Sequence, residues 1–317
     1  MFIETLQSSS IINLCSRKFK EEMKLFKTKS KIALVSTTLI ALMVLAGCGK
    51  TAAPTTPTPT ATPSATTTID KKTISAAGST ALQPLVKLAA DEFMAKNAGV
   101  QVNLSGGGSF TGLTNVASGS VDIGNSDVFV TDELKDKGLV DHQVAVAPFL
   151  LITNKDVTID NITKAQATDI FTGKIKNWKD VGGKDAPISI IGRAKSSGSR
   201  ATIAKIVMDG KDFTDAAAAQ DSNGNVMTGV SQTPGAIGYI DAAYLKDTVK
   251  ALKYNGVAFS ADAVGSGQYP IYALEHMYTK GEATGTVKAF LEYITSKEFQ
   301  DKNVEKTGFV AISKLKK

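Results

Sequence analysis

From Thr73 to the C-terminus, segments with the two-residue alternation of β-strands exchange with segments of helical period. "TISAA" (73–77) reads as strand. "STALQPLVKLAADEFMAKN" (79–97) reads as helix, with Leu82, Leu85, Val86, Ala89 and Phe93 on one face. Pro84 is tolerated because it falls near the first turn. "VQVNL" alternates as a strand, "FTGLTNVASG" reads as a short helix, and "VDIGNS" as a further strand. "VAVAPFLLITN" is a long apolar strand, "KAQATDIFTG" a helix, "ISIIG" a strand and Ala201–Val207 a helix. "GAIGYI" is a strand, and "TGTVKAFLEYITSKEFQDKN" reads as one long amphipathic helix. Such an exchange is buried by α/β layers.

The junctions between these segments carry the chemistry. Gly78-Ser79-Thr80 lies between the first strand and the first helix. Gly106-Gly107-Gly108-Ser109 lies between the second strand and second helix, and Arg193 to Ser199 ("RAKSSGS") between a third strand and helix. A helix start exposes unpaired N–H groups and partial positive charge, so an anion is its natural ligand. One serine-rich helix start alone is an ordinary N-cap. Three of them with an arginine make an oxyanion cradle, and in open α/β sheets ligands sit outside the carboxyl ends of the strands, where these turns lie.

Charge and rarer residues exclude other classes. The net charge is +6, but seven of the 36 Lys/Arg and three of the 30 Asp/Glu fall in residues 1–47, which leaves the rest at +2. No nucleic-acid partner is expected from that balance. Cys15 and Cys48 give no disulfide framework. Two histidines, His142 and His276, supply too few ligands for zinc and read as surface or interface residues. "DSNGN" (221–225) fails as a calcium loop, with Val226 and Gln232 at key places, and reads as a polar turn. "SGGGSFTG" lacks the lysine of a P-loop. Trp178 reads as a residue packing a loop. No metal and no cofactor is expected.

The first 70 residues do not read as fold. A basic segment, "MKLFKTKSK" (23–31), precedes an apolar run of 15 residues (32–46), too short to span a membrane comfortably. It ends in "LAGC" (45–48), which resembles a bacterial lipobox and implies cleavage before Cys48 and lipid on its thiol. Residues 1–47 are thus expected to be a signal peptide, complete if translation starts at Met23. Thr51 to Ile69 is Thr/Pro-rich and uncharged, so it cannot form a core and reads, with Cys48 to Asp70, as a lipidated tether. At about 3.1 Å per residue it reaches roughly 60 Å.

Six stretches in order, "AAGSTALQPL", "SGGGSFTGL", "DIGNSDV", "IFTGKIKNW", "GRAKSSGSR" and "PGAIGYI", resemble the PstS family, phosphate-binding proteins of bacterial ABC importers. The resemblance covers Thr73 to Lys317. It implies an α/β, two-lobed periplasmic-binding-protein (type II) fold with a hinge and an interlobe ligand cleft. Residues 73–150 with about 255–317 would form lobe 1, and about 151–254 lobe 2. "VAVAPFLLITN" would cross between them, with a return near Lys250 to Asp262. The implied ligands of inorganic phosphate are Ser79, Thr80, Ser109, Asp127, Arg193, Ser197, Gly198 and Ser199. Many relatives carry an acidic residue, thought to pair with the arginine, where Lys195 stands, and glycine where Ser196 stands; Lys195 would instead raise the potential at the mouth.

The implied function is a monomeric, lipid-anchored receptor on the extracytoplasmic face of the membrane. It would deliver phosphate to an ABC permease and perform no chemistry. The alternatives are a receptor for sulfate, molybdate or tungstate, a serine hydrolase or phosphatase using Ser197 or Ser199, and an adhesin or sensor on the same fold. Asp127 argues against sulfate, which has no hydrogen to offer a carboxylate.

Overall fold

The computed structural model describes residues 73–316. The expected signal, Cys48 and the tether lie outside the described residues. β1 (Thr73–Gly78) leads to α1 (Gln83–Lys96), β2 (Gln101–Gly107) to α2 (Ser109–Ser118), and β3 (Ile123–Ser126) through a 3₁₀ turn to β4 (Leu139–Thr153). β5 (Asn161–Ile162), α3 (Lys164–Phe171), β6 (Ser189–Arg193), α4 (Gly198–Ile206), β7 (Ala218–Gln220), α5 (Asn223–Gln232) and β8 (Ala236–Asp241) follow. The chain ends with β9 (Lys250–Ala251), β10 (Lys253–Tyr254), α6 (Ala261–Gly265), β11 (Tyr272–Lys280), α7 (Gly285–Thr295) and α8 (Lys297–Asn303).

The main sheet runs β2-β1-β3-β11-β4-β8-β6-β7, with β9 beside the end of β4. β1 lies parallel to β2 and β3, and β6 parallel to β7 and β8. β4 joins these two parallel groups. Its residues from Leu139 to Pro148 pair with β11, and those from Phe149 to Thr153 pair with β8. From Val144 to Thr153 the strand is buried without interruption, which is why it reads as a continuous apolar run rather than an alternation. β9 and β10 still pair with β4 and β5, so the chain regains the first group only at β11, by way of α6. α1 and α7 pack on each other through Phe93 and Phe290, whose rings lie 5.3 Å apart. Tyr239, Phe171 and Phe213 form a second aromatic cluster beside α3 and β8.

Several elements differ from their sequence expectation. The first helix begins at Gln83, because Ser79 Oγ accepts from the N–H groups of Ala81 and Leu82 and ties 79–82 into a turn. The expected long terminal helix is two helices. Ser296 is extended (φ −63°, ψ 146°), and its hydroxyl caps α8 by accepting from Phe299 N. The segment read as a polar turn at 221–225 opens α5, with Ser222 as its N-cap. His276 is a correction: instead of lying at a surface it is fully buried, its Nδ1 2.8 Å from Asp141 Oδ1 and its ring stacked on Tyr278. Trp178 packs its loop, donating Nε1–H to Gly235 O. No helix of the described residues is long and apolar enough to cross a membrane.

Candidate functional site

The first two turns are built against each other. Gly78 has φ +131°, and a Cβ there would strike Asn125 O and come within 2.9 Å of Gly112 Cα. Only glycine therefore lets β1, β3 and α2 close to this distance. Ser79 N donates to Asn125 O at 2.8 Å, and Gly108 N to Gly78 O at 3.0 Å. Ser109 then starts α2 and accepts the N–H of Asp127 on its hydroxyl, 2.9 Å away.

The third turn comes from the other parallel group. Ser197 caps α4 by accepting from Arg200 N at 3.1 Å. Phe110 N donates to Ser196 O across the gap at 3.1 Å, and Ser199 Oγ donates to Asp127 Oδ2 at 2.8 Å. A side chain at Gly198 would collide with Ser109 Oγ and sit 3.0 Å from Asp127 Cβ. Thr80 Oγ1 accepts both the backbone N–H and the side-chain amide of Asn223, at 3.2 and 3.1 Å. Tyr244 donates its hydroxyl to Thr80 O at 2.6 Å. Ser79, Thr80, Ser109, Asp127, Arg193, Ser197, Gly198 and Ser199 are thus brought to one buried place between the two parallel groups.

The hydrogen bonds leave a defined set of unspent groups. Ser79, Thr80, Ser109 and Ser197 each accept an N–H, and these bonds leave each hydroxyl hydrogen unused. Arg193 donates Nε–H to Gln220 O and Nη2–H to Asp221 O, which fixes the guanidinium plane. Its Nη1 is buried without a partner, as is Oδ1 of Asp127. Burial lowers the Arg193 pKa, and the nearby Asp127 carboxylate opposes that shift. Backbone carbonyls here do what an acidic partner would do, while Lys195 is exposed. The result is five donors around one acceptor, the complement of a tetrahedral oxyanion that still carries a hydrogen.

Sequence reasoning missed three buried polar residues at this place. Asn223 links Thr80 to Asp241, whose N–H it accepts at 2.9 Å. Its signal was readable, since "AAQDSNGNV" repeats the strand, polar turn, helix pattern of the other three turns. Asp241 ends β8 and is fully buried, with Oδ1 on Ala243 N and Oδ2 unpartnered. Burial pushes its pKa well above the carboxylate range. Glu275 on β11 is fully buried as well. Among the described residues no three His, Cys, Asp or Glu side chains gather as metal ligands.

Comparison with known proteins places this geometry. A family profile described as the PBP superfamily domain matches residues 55–298. The phosphate-binding protein PstS of Bacillus subtilis is 45% identical over 242 residues, 75% of this chain and 80% of its own length. PstS of Borreliella burgdorferi is 30% identical over 77% of this chain and 91% of its own. A Clostridium perfringens crystal structure, assigned as a phosphate ABC transporter substrate-binding protein with bound phosphate, superposes with a TM-score of 0.73. The two are 33% identical, over 76% of this chain and 99% of that one.

Proposed function

The chain belongs to the PBP superfamily and, within it, to the PstS phosphate-binding proteins, and we propose that it captures inorganic phosphate outside the cell membrane for an ABC importer. The observation that carries this reading is the pairing of unspent donors with one unspent acceptor. Four hydroxyls and Arg193 Nη1 face the charge of the anion, and Asp127 Oδ1 accepts its hydrogen. An ionised carboxylate meeting sulfate would oppose a bare oxygen of like charge, so the same group that accepts phosphate rejects sulfate.

The two parallel groups are the lobes. Their boundary within β4 falls between Pro148 and Phe149, where its partner changes from β11 to β8, and the return runs through residues 255–271. Bonds such as Phe110 N to Ser196 O belong to the closed arrangement, and opening breaks them. In this reading the protein is a receptor without chemistry of its own: Ser197 only accepts from Arg200 N, Ser199 donates to Asp127, and neither bonds a histidine that could activate it. It acts as a monomer held at the extracytoplasmic surface by lipid on Cys48, with the Thr/Pro segment as tether.

Titration calorimetry of the purified protein against phosphate, arsenate, sulfate and molybdate tests the reading. Phosphate and arsenate are expected to bind at one site and compete. Equal binding of sulfate, or binding of molybdate alone, overturns it.

A further inference from the structure

β11 carries Glu275 to the floor of the site. His276 pairs with Ser126 in antiparallel register, so the next residue along β11, Glu275, comes opposite Asp127. A bulge between Glu275 and His276 shifts the register on the β4 side, where Glu275 pairs with Ala145 and His276 with Gln143, and both residues are fully buried. His276 has Asp141 as its partner. Glu275 has none: both carboxyl oxygens are buried without a hydrogen-bond partner, and so is the facing Asp127 Oδ1.

Two unpaired oxygens in the interior are an arrangement that an ionised carboxylate does not tolerate and a shared proton resolves. Building on the phosphate reading, we infer that Glu275 is a protonated carboxyl that donates its hydrogen to Asp127. The site then presents one carboxylate charge to the anion instead of two, and Asp127 keeps a lone pair for the ligand's hydrogen. Glu275 is a positioning residue that acts through Asp127.

The surroundings favour the neutral form. The elements packed on β11 carry Asp127 after β3, Asp141 and His142 on β4, and Arg200 and Lys205 on α4; α2 carries no ionisable side chain. His276, Tyr272, Tyr278 and Lys280 share its own strand. Burial acts first on Glu275, followed by the negative charge of Asp127, and both raise its pKa. The neutral form is the binding form, so affinity is complete below that raised pKa and falls as pH rises through it. Deprotonation sets a second carboxylate against an anion and closes the site to it.

The test is the phosphate affinity of the parent and of Glu275→Gln, measured by calorimetry from pH 6 to the alkaline limit of folding. Glutamine keeps a donor hydrogen and cannot lose it, and the titration of phosphate itself is common to both proteins. The parent is expected to weaken relative to the variant by about tenfold per pH unit above the Glu275 pKa. Parallel profiles overturn the inference and leave the phosphate reading standing, whereas a parent that binds no phosphate overturns both. A second measurement needs no variant. With carboxyl-¹³C glutamate incorporated, the parent's isotope-edited infrared spectrum at neutral pH is expected to contain a carboxylic-acid C=O band, and a spectrum of carboxylate bands alone overturns the inference.

Discussion

Ser199 Oγ donates a 2.8 Å hydrogen bond to Oδ2 of Asp127, so the first turn of α4 holds the residue that follows β3, 72 positions away in the chain. Both residues are buried. The bond joins the two parallel strand groups beside the proposed anion site, and it orients the carboxylate so that Oδ1 is the oxygen left to accept.

Ser199→Ala removes the donor and leaves a second Asp127 oxygen unpaired. A buried bond to a charged group contributes about 1.5–3 kcal/mol. Phosphate affinity is expected to fall by about tenfold or more, with small-angle scattering showing a larger open fraction at a phosphate concentration that closes the parent.

Arg193→Ala is expected to weaken phosphate binding by tens-fold or more in calorimetry while the circular dichroism spectrum is kept. Arg193→Lys should not restore it. Two guanidinium nitrogens are already committed to the carbonyls of Gln220 and Asp221, which aims the third, and an ammonium has no such fork. Arg200 cannot substitute, since it donates to Arg193 O and stacks over Phe213.

Asp127→Asn exchanges an acceptor-only group for one that also donates, and removes a charge. A site built around a ligand hydrogen rejects analogues lacking it by about 10⁴-fold. The parent's phosphate-to-sulfate ratio is therefore expected to be large and the variant's much smaller, with arsenate competing against phosphate in both. The check is a competition series on immobilised protein.

Burial raises the pKa of Asp241 in the fold, whereas in the unfolded chain it ionises near pH 4. The folded state therefore holds the extra proton, and stability falls with rising pH, by up to about 1.4 kcal/mol per unit, until the folded pKa is reached. Asp241→Asn keeps an oxygen for Ala243 N and cannot ionise. Its melting temperature is expected to gain on the parent's as pH rises from 5 to 8, which differential scanning calorimetry reads directly.

Cys48→Ser is expected to move the protein from the membrane fraction to the medium or the soluble fraction, as followed by immunoblot. Stable retention needs more than one acyl chain, so partial lipidation would show as partial release.

What was legible in the chain was local. The strand, turn, helix sequence at Ser79, Ser109 and Ser197 needs only a few neighbouring residues, because a helix start is exposed by its own backbone and filled by the residue beside it. The apolar run of β4 could be read for the same reason. What needed the tertiary structure was pairing at a distance. β11 escaped notice because Glu275 and His276 interrupt its apolar pattern, and they are buried only because β3 and β4 flank them. Asp241 and Glu275 belong to strands whose meaning depends on what lies opposite, and register between strands far apart in the chain leaves no mark on either one. Which hydroxyls keep a free hydrogen, and which nitrogen of Arg193 is left over, is likewise decided by partners that the fold brings from elsewhere, since a hydrogen bond is spent or unspent only once both of its ends are in place.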